Sequence, residues 1–254
     1  MYRIKTFWLL CLFFGQSSHS KELLLVAGLE KPPYVIPANN SGFEIELMRE
    51  VLSILEHEIT VVYVPYGRTY EIMRQIKADI GLTLIAKSGA KNEMLTMPYV
   101  VYRNVAISQK KSAVNITKIS DLNKHSLVAF QSARKVLGNE FANASEASPL
   151  YFELPDQKRQ VELLLSDKVE VIVMDINIFK YFAKSIGGPT QISKVDIHSI
   201  FPSTYYRAAI TSPSLRDSFN QAFAKYIQSD QYTQLLEKYD MSYLLKTDSF
   251  SNAR

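Results

Sequence analysis

The chain has 254 residues and a formal charge of +4, long enough to bury a large core or to divide into two lobes. That charge is close to neutral, and neither a basic cluster nor an acidic tail appears, so a nucleic-acid role is not expected. The single cysteine, Cys11, gives the chain no disulfide framework of its own.

Residues 1–20 read as a secretory leader. Arg3 and Lys5 make a basic start, residues 7–15 form an apolar run, and Ser18, His19 and Ser20 fit a small-x-small cleavage pattern before Lys21. The run is shorter than the roughly 20 residues a membrane-spanning helix needs. Cleavage would leave 234 residues with a charge of +2 and no cysteine. The expected location is the periplasm, and the expected mature protein is a monomer.

Taken in order, 22–28 is a continuous apolar strand of the kind covered on both faces. Residues 29–41 carry Pro32, Pro33 and Pro37 and form a loop. Ile45, Met48, Val51, Leu52 and Leu55 recur at helical spacing over 43–56. A strand at 59–64 stops at Pro65, a short helix covers 70–77, and a strand at 80–85 runs into a polar loop at 86–92. A further strand is expected at 102–108. The pattern then restarts, with strands at 127–130, 150–154, 169–174 and 195–200 and helices at 133–141, 157–165 and 176–185. The end holds a strand at 205–210, an amphipathic helix at 213–228, a shorter one at 230–239 and a loose tail after Leu245. Two successive α/β units argue for two lobes.

This order resembles the type II periplasmic solute-binding proteins, family 3, in the subgroup similar to amino-acid-binding components of ABC importers. The resemblance rests on Lys31 to Tyr34 (KPPY), the segment GFEIEL from Gly42, ADI from Ala78, MPY from Met97, ISDL from Ile119, and VEVIVMD ending at Asp175. It implies an α/β, two-lobed periplasmic-binding-protein-like type II fold, each lobe a mainly parallel sheet flanked by helices, with a two-segment hinge. Residues 21–108 and 204–254 would form lobe 1, and 109–203 lobe 2. It implies a binding protein that takes a small polar solute, amino-acid-like or a small carboxylate, into the interlobe cleft for an ABC-type importer. Its partners would be that ligand and importer membrane subunits or a membrane sensor, with no cofactor, metal or catalytic residue. Relatives on the same fold suggest two alternatives, a cyclohexadienyl-dehydratase-like enzyme and a sensory binding protein without an importer.

In such relatives an arginine after the 80–85 strand clamps the ligand carboxylate, because its planar fork donates two parallel hydrogen bonds. The matching position here is Ala90, and Lys87 on the same loop is a point charge without that geometry. Arg68, after Pro65 and Tyr66, is a candidate replacement; its other reading is a solvated arginine paired with Glu71. Asp175 would receive a ligand ammonium or cap the helix that follows it. Ser132, at a helix start, would offer N–H groups to an anion. Tyr34 and Tyr66 would cover the ligand, and Thr83 would offer a hydroxyl. His57, His125 and His198 have no catalytic or metal-binding spacing, and no nucleotide, hydrolase or zinc motif is present.

Overall fold

The computed structural model describes residues 21–85 and 88–242, so the expected leader, Lys87 and the tail lie outside the described residues. The first half of the chain forms β1 (Lys21–Gly28), α1 (Phe43–Ile54), β2 (His57–Val64), α2 (Thr69–Gln75), β3 (Ile80–Leu84), β4 (Val100–Tyr102), β5 (Asn104–Gln109) and β6 (Leu127–Phe130). The second half forms α3 (Ala133–Leu137), α4 (Asn139–Glu146), β7 (Tyr151–Leu154), α5 (Gln157–Leu165), β8 (Val171–Asp175), α6 (Ile176–Gly187), β9 (Val195–His198), β10 (Thr204–Ile210), α7 (Pro213–Tyr226) and α8 (Asp230–Lys238).

The strands make two five-stranded sheets with orders β2-β1-β3-β10-β4 and β7-β6-β8-β5-β9. In the first, β1 pairs parallel with β2 and β3, while β10 runs antiparallel between β3 and β4. In the second, β6 pairs parallel with β7 and β8, while β5 runs antiparallel between β8 and β9. Each sheet therefore has one reversed strand, and each reversed strand is the one entered when the chain crosses from the other sheet. The molecule is two-lobed, and the crossings at Arg103 and at 199–203 connect the lobes. One boundary is corrected: residues 104–108, read from sequence as the end of lobe 1, hydrogen-bond to β8 and β9 in the second sheet.

Both faces of the first sheet are covered. Leu23, Leu25 and Ala27 of β1 pack with the buried face of α1, while Val26 packs with Met73 of α2 on the other side. That two-sided burial is why β1 reads as a continuous apolar run instead of an alternating one. In the second lobe, Val171 and Val173 face Phe141 of α4, and Ile172 and Met174 face Phe179 of α6. The single helix expected over 133–141 is two helices. Gly138, at φ +86°, takes a left-handed conformation that ends α3 and starts α4.

Candidate functional site: the cleft between the lobes

Beyond Gly28 the chain turns at Lys31, whose N–H donates to Val35 O at 3.0 Å. Lys31 is 3% exposed. Its Nζ donates to Glu44 Oε1 at 3.2 Å and to Thr83 Oγ1 at 2.9 Å, and it lies 5.5 Å from the centroid of the Tyr102 ring. Glu44 sits in the first turn of α1, where the helix dipole favours an anion. Its two oxygens also accept from Tyr102 Oη at 2.7 Å, Thr83 Oγ1 at 2.7 Å and the Tyr99 hydroxyl. Four donors saturate the carboxylate. Burial alone would push the Glu44 carboxyl up, but the Lys31 charge and these hydroxyls outweigh it and hold it below the usual range. Burial and the Glu44 charge together raise Tyr99 and Tyr102 well above an ordinary phenol.

Thr83 is held in an uncommon conformation. Its φ of +56° is left-handed, costly for a β-branched residue, and it falls where the β3–β10 register shifts. The surroundings impose it: the Thr83 N–H donates to Tyr99 Oη at 3.0 Å while its hydroxyl bridges Lys31 and Glu44.

Two cavities lie between the lobes. The smaller, about 90 Å³, is bounded by Lys31, Tyr66, Thr83 and Tyr206 of the first lobe and by Ser132, Lys135 and Val136 of the second. The larger, about 370 Å³, is bounded by Leu29, Lys31, Pro65 and Tyr66 on one side and by Phe130, Gln131, Pro155 and Phe182 on the other. Lys31 and Tyr66 border both. Burial pushes the phenols of Tyr66 and Tyr206 up. No group of metal-ligating side chains occurs among the described residues.

Of the residues singled out from the sequence, Tyr66, Thr83 and Ser132 border the smaller cavity. Lys87 lies outside the described residues, and the structure engages Tyr34, Asp175 and Arg68 elsewhere. Tyr34 is fully buried, stacked on Tyr102 with ring centroids 4.1 Å apart. Its hydroxyl donates to Asp175 Oδ1 at 3.1 Å and accepts from Asn177 Nδ2 at 2.8 Å. Asp175 caps α6, accepting the N–H groups of Asn177 and Ile178, and its second oxygen accepts the Arg103 N–H at 2.8 Å. It is 2% exposed, and burial pushes its carboxyl up to about 6 despite those donors. Asp175 thus joins the lobes through Tyr34 and borders neither cavity. Arg68 is exposed and borders neither; it forks onto Glu71 at 2.9 and 2.7 Å. Ser132 does not present its N–H outward, because that group donates to Glu153 Oε2 at 2.7 Å. The Arg134 N–H and the Tyr151 hydroxyl also donate to Glu153. A carboxylate of the chain itself therefore takes the place expected for a ligand anion.

The sequence reading missed Lys31, Glu44 and Tyr206 as site residues. Glu44 carried a usable signal: it falls one turn before Met48 on the apolar stripe of α1, and an acid on a buried stripe demands a cation nearby. Tyr206 carried none, since a tyrosine inside an apolar strand reads as core.

Residues 24–242 match the sequence profile of the bacterial extracellular solute-binding proteins, family 3, and the chain belongs to that family. No curated protein matches it. Among solved structures it is similar to the GluR0 ligand-binding core in complex with L-glutamate, with TM-score 0.70, 15% identity, and coverage of 87% of this chain and 99% of that one. It is also similar to an ancestral amino-acid-binding protein, AncCDT-1, a precursor of cyclohexadienyl dehydratase (TM-score 0.67, 20% identity, 86% and 95% covered). A third is the amino acid ABC transporter substrate-binding protein AbpA from Streptococcus pneumoniae, bound to L-arginine (TM-score 0.64, 17% identity, 87% and 95% covered). At these identities the likeness concerns the fold.

Proposed function

We propose that the protein is a periplasmic solute-binding protein, exported by its 1–20 leader, that captures a small polar solute between its lobes for an ABC-type importer. One observation carries this reading: both interlobe cavities are walled by residues of both lobes, and the lobes are connected by two crossings. A solute that touches both walls only when they are close favours the closed arrangement by its differential binding energy. AbpA, of the same fold, supports the importer assignment. The test is small-angle scattering of the mature chain against a panel of amino acids, amines, carboxylates and sugars. A binder should reduce the radius of gyration and raise the melting temperature. A panel that leaves both unchanged at millimolar concentration removes the reading.

AncCDT-1 favours a second reading, a dehydratase-like enzyme. Against it, the acids nearest the cleft are engaged: Glu153, half-buried, holds the start of α3 and Asp175, buried, caps α6, which leaves neither poised for proton transfer. Turnover of arogenate or prephenate by the purified protein would establish the enzyme.

A further inference from the structure

The two cavities differ in chemistry, and together they restrict what the cleft can hold. This inference rests on the proposed binding role and names the class of solute.

Anionic acceptors are scarce inside. Glu44 has four donors, Asp175 has four and Glu153 has three, and none of these carboxylates borders either cavity. The acids that do border the cleft, Glu30 and Asp156, are exposed and line only the larger cavity, away from Lys135, and Asp156 already accepts the Arg159 N–H. Lys158 stands beside them. A ligand ammonium would therefore lose its water shell without gaining a buried carboxylate, having only neutral hydroxyls such as those of Tyr66 and Tyr206 to meet it, which is costly. Donors, by contrast, remain. Lys31 is buried, spends two of its three N–H bonds on Glu44 and Thr83, and borders both cavities. Lys135 of the second lobe borders the smaller cavity opposite it. The Lys31–Glu44 pair is balanced, so one added anion is matched by Lys135. The smaller cavity, at about 90 Å³, has room for a carboxylate. The larger one, at about 370 Å³, has Phe130, Phe182, Leu29 and Pro155 on its walls and meets the smaller at Lys31 and Tyr66.

We propose that the solute is a monocarboxylate with a compact apolar body and no ammonium group. Its carboxylate lies between Lys31 and Lys135, and its body lies against Phe130, Phe182 and the Tyr66 ring. Because the carboxylate touches a lysine from each lobe, it is also the part that draws the lobes together.

The test compares 3-phenylpropanoate, phenylalanine, phenethylamine and acetate as probes, by calorimetry and thermal shift on the mature chain. The first two differ only by the ammonium group. The expected order is phenylpropanoate tightest, phenylalanine at least about tenfold weaker, and phenethylamine without effect. Acetate, lacking the body, should bind more weakly than phenylpropanoate. Lys135→Ala, an exposed substitution that the fold tolerates, should weaken phenylpropanoate about tenfold, and the Lys31→Met/Glu44→Gln pair should abolish it. Phenylalanine or phenethylamine binding as tightly as phenylpropanoate, or phenylpropanoate giving no shift at millimolar concentration, overturns the inference. Should an amino acid, amine or sugar then close the cleft by scattering, the binding role stands and only the solute class falls.

Discussion

At the scale of single residues, the strongest electrostatic commitment is the Lys31–Glu44 pair. Removing one partner of a buried pair strands the other charge, which typically costs about 3–5 kcal/mol. Lys31→Met is therefore expected to lower the urea-unfolding free energy by about that much, and adding Glu44→Gln should recover a large part. Asp175 gives a prediction with a defined sign. Its carboxyl is raised from 3.8 to about 6 in the folded protein. The folded state therefore holds this proton more tightly than the unfolded state, and the resulting stability is fully present below pH 3.8 and lost as pH rises through about 6. Asp175→Asn keeps an oxygen for the helix cap and does not titrate. Measured by melting temperature, the variant should gain on the wild type between pH 4 and 7, by up to about 3 kcal/mol. A flat difference across that range would contradict the buried assignment. Arg68→Ala, which removes only an exposed pair with Glu71, should change stability by less than about 0.5 kcal/mol and leave solute affinity unchanged.

At the scale of elements, the start of α1 is the critical joint, because it delivers Glu44 into the core. Gly42 precedes the helix at φ +112°, and a Cβ there would lie 2.4 Å from the Tyr34 carbonyl oxygen. Gly42→Ala meets both an unfavourable backbone conformation and immovable backbone atoms. A loss of about 2 kcal/mol or more in urea unfolding is expected. The same joint holds Tyr34, whose carbonyl accepts the Glu44 N–H at 3.0 Å. One turn of chain thus positions the interlobe tyrosine and the buried acid together. Residues of this kind are poorly legible in sequence. The GFEIEL segment announces a helix start, but the apolar spacing that marks the helix does not say which partner its acid will meet.

For the whole molecule, the core does not stop at the lobe boundary. One apolar cluster runs from Leu25 and Ile80 through Tyr34, Tyr102 and Tyr206 to Met174 and Phe179. With Tyr34 hydrogen-bonded to Asp175 across the same region, the lobes share a buried joint as well as two chain crossings. Thermal unfolding is therefore expected as one transition, with calorimetric and van't Hoff enthalpies in agreement. Two resolved transitions would mean that the lobes are held together less firmly than this core implies.

Periodicity and turn chemistry in the sequence determined the elements and the two-lobed α/β class, because burial on both faces of a sheet writes itself into runs such as LLLVAG and VIVMD, while the family was read from the resemblance of segments such as GFEIEL and MPY. Local pattern also pointed to Thr83 and Tyr66. Tertiary structure alone decided which charged groups face the cleft. For Arg68 it chose between two readings already open, and the exposed pairing with Glu71 is the one found. Ser132 looked open but is taken by Glu153, which β7 brings alongside because it pairs with β6. Lys31 looked like a loop residue, yet it is the buried cation bordering both cavities, since its partners Glu44 and Thr83 are 13 and 52 residues away in the chain. A charge is satisfied by whatever the fold brings within about 3 Å of it, and sequence spacing does not carry that distance.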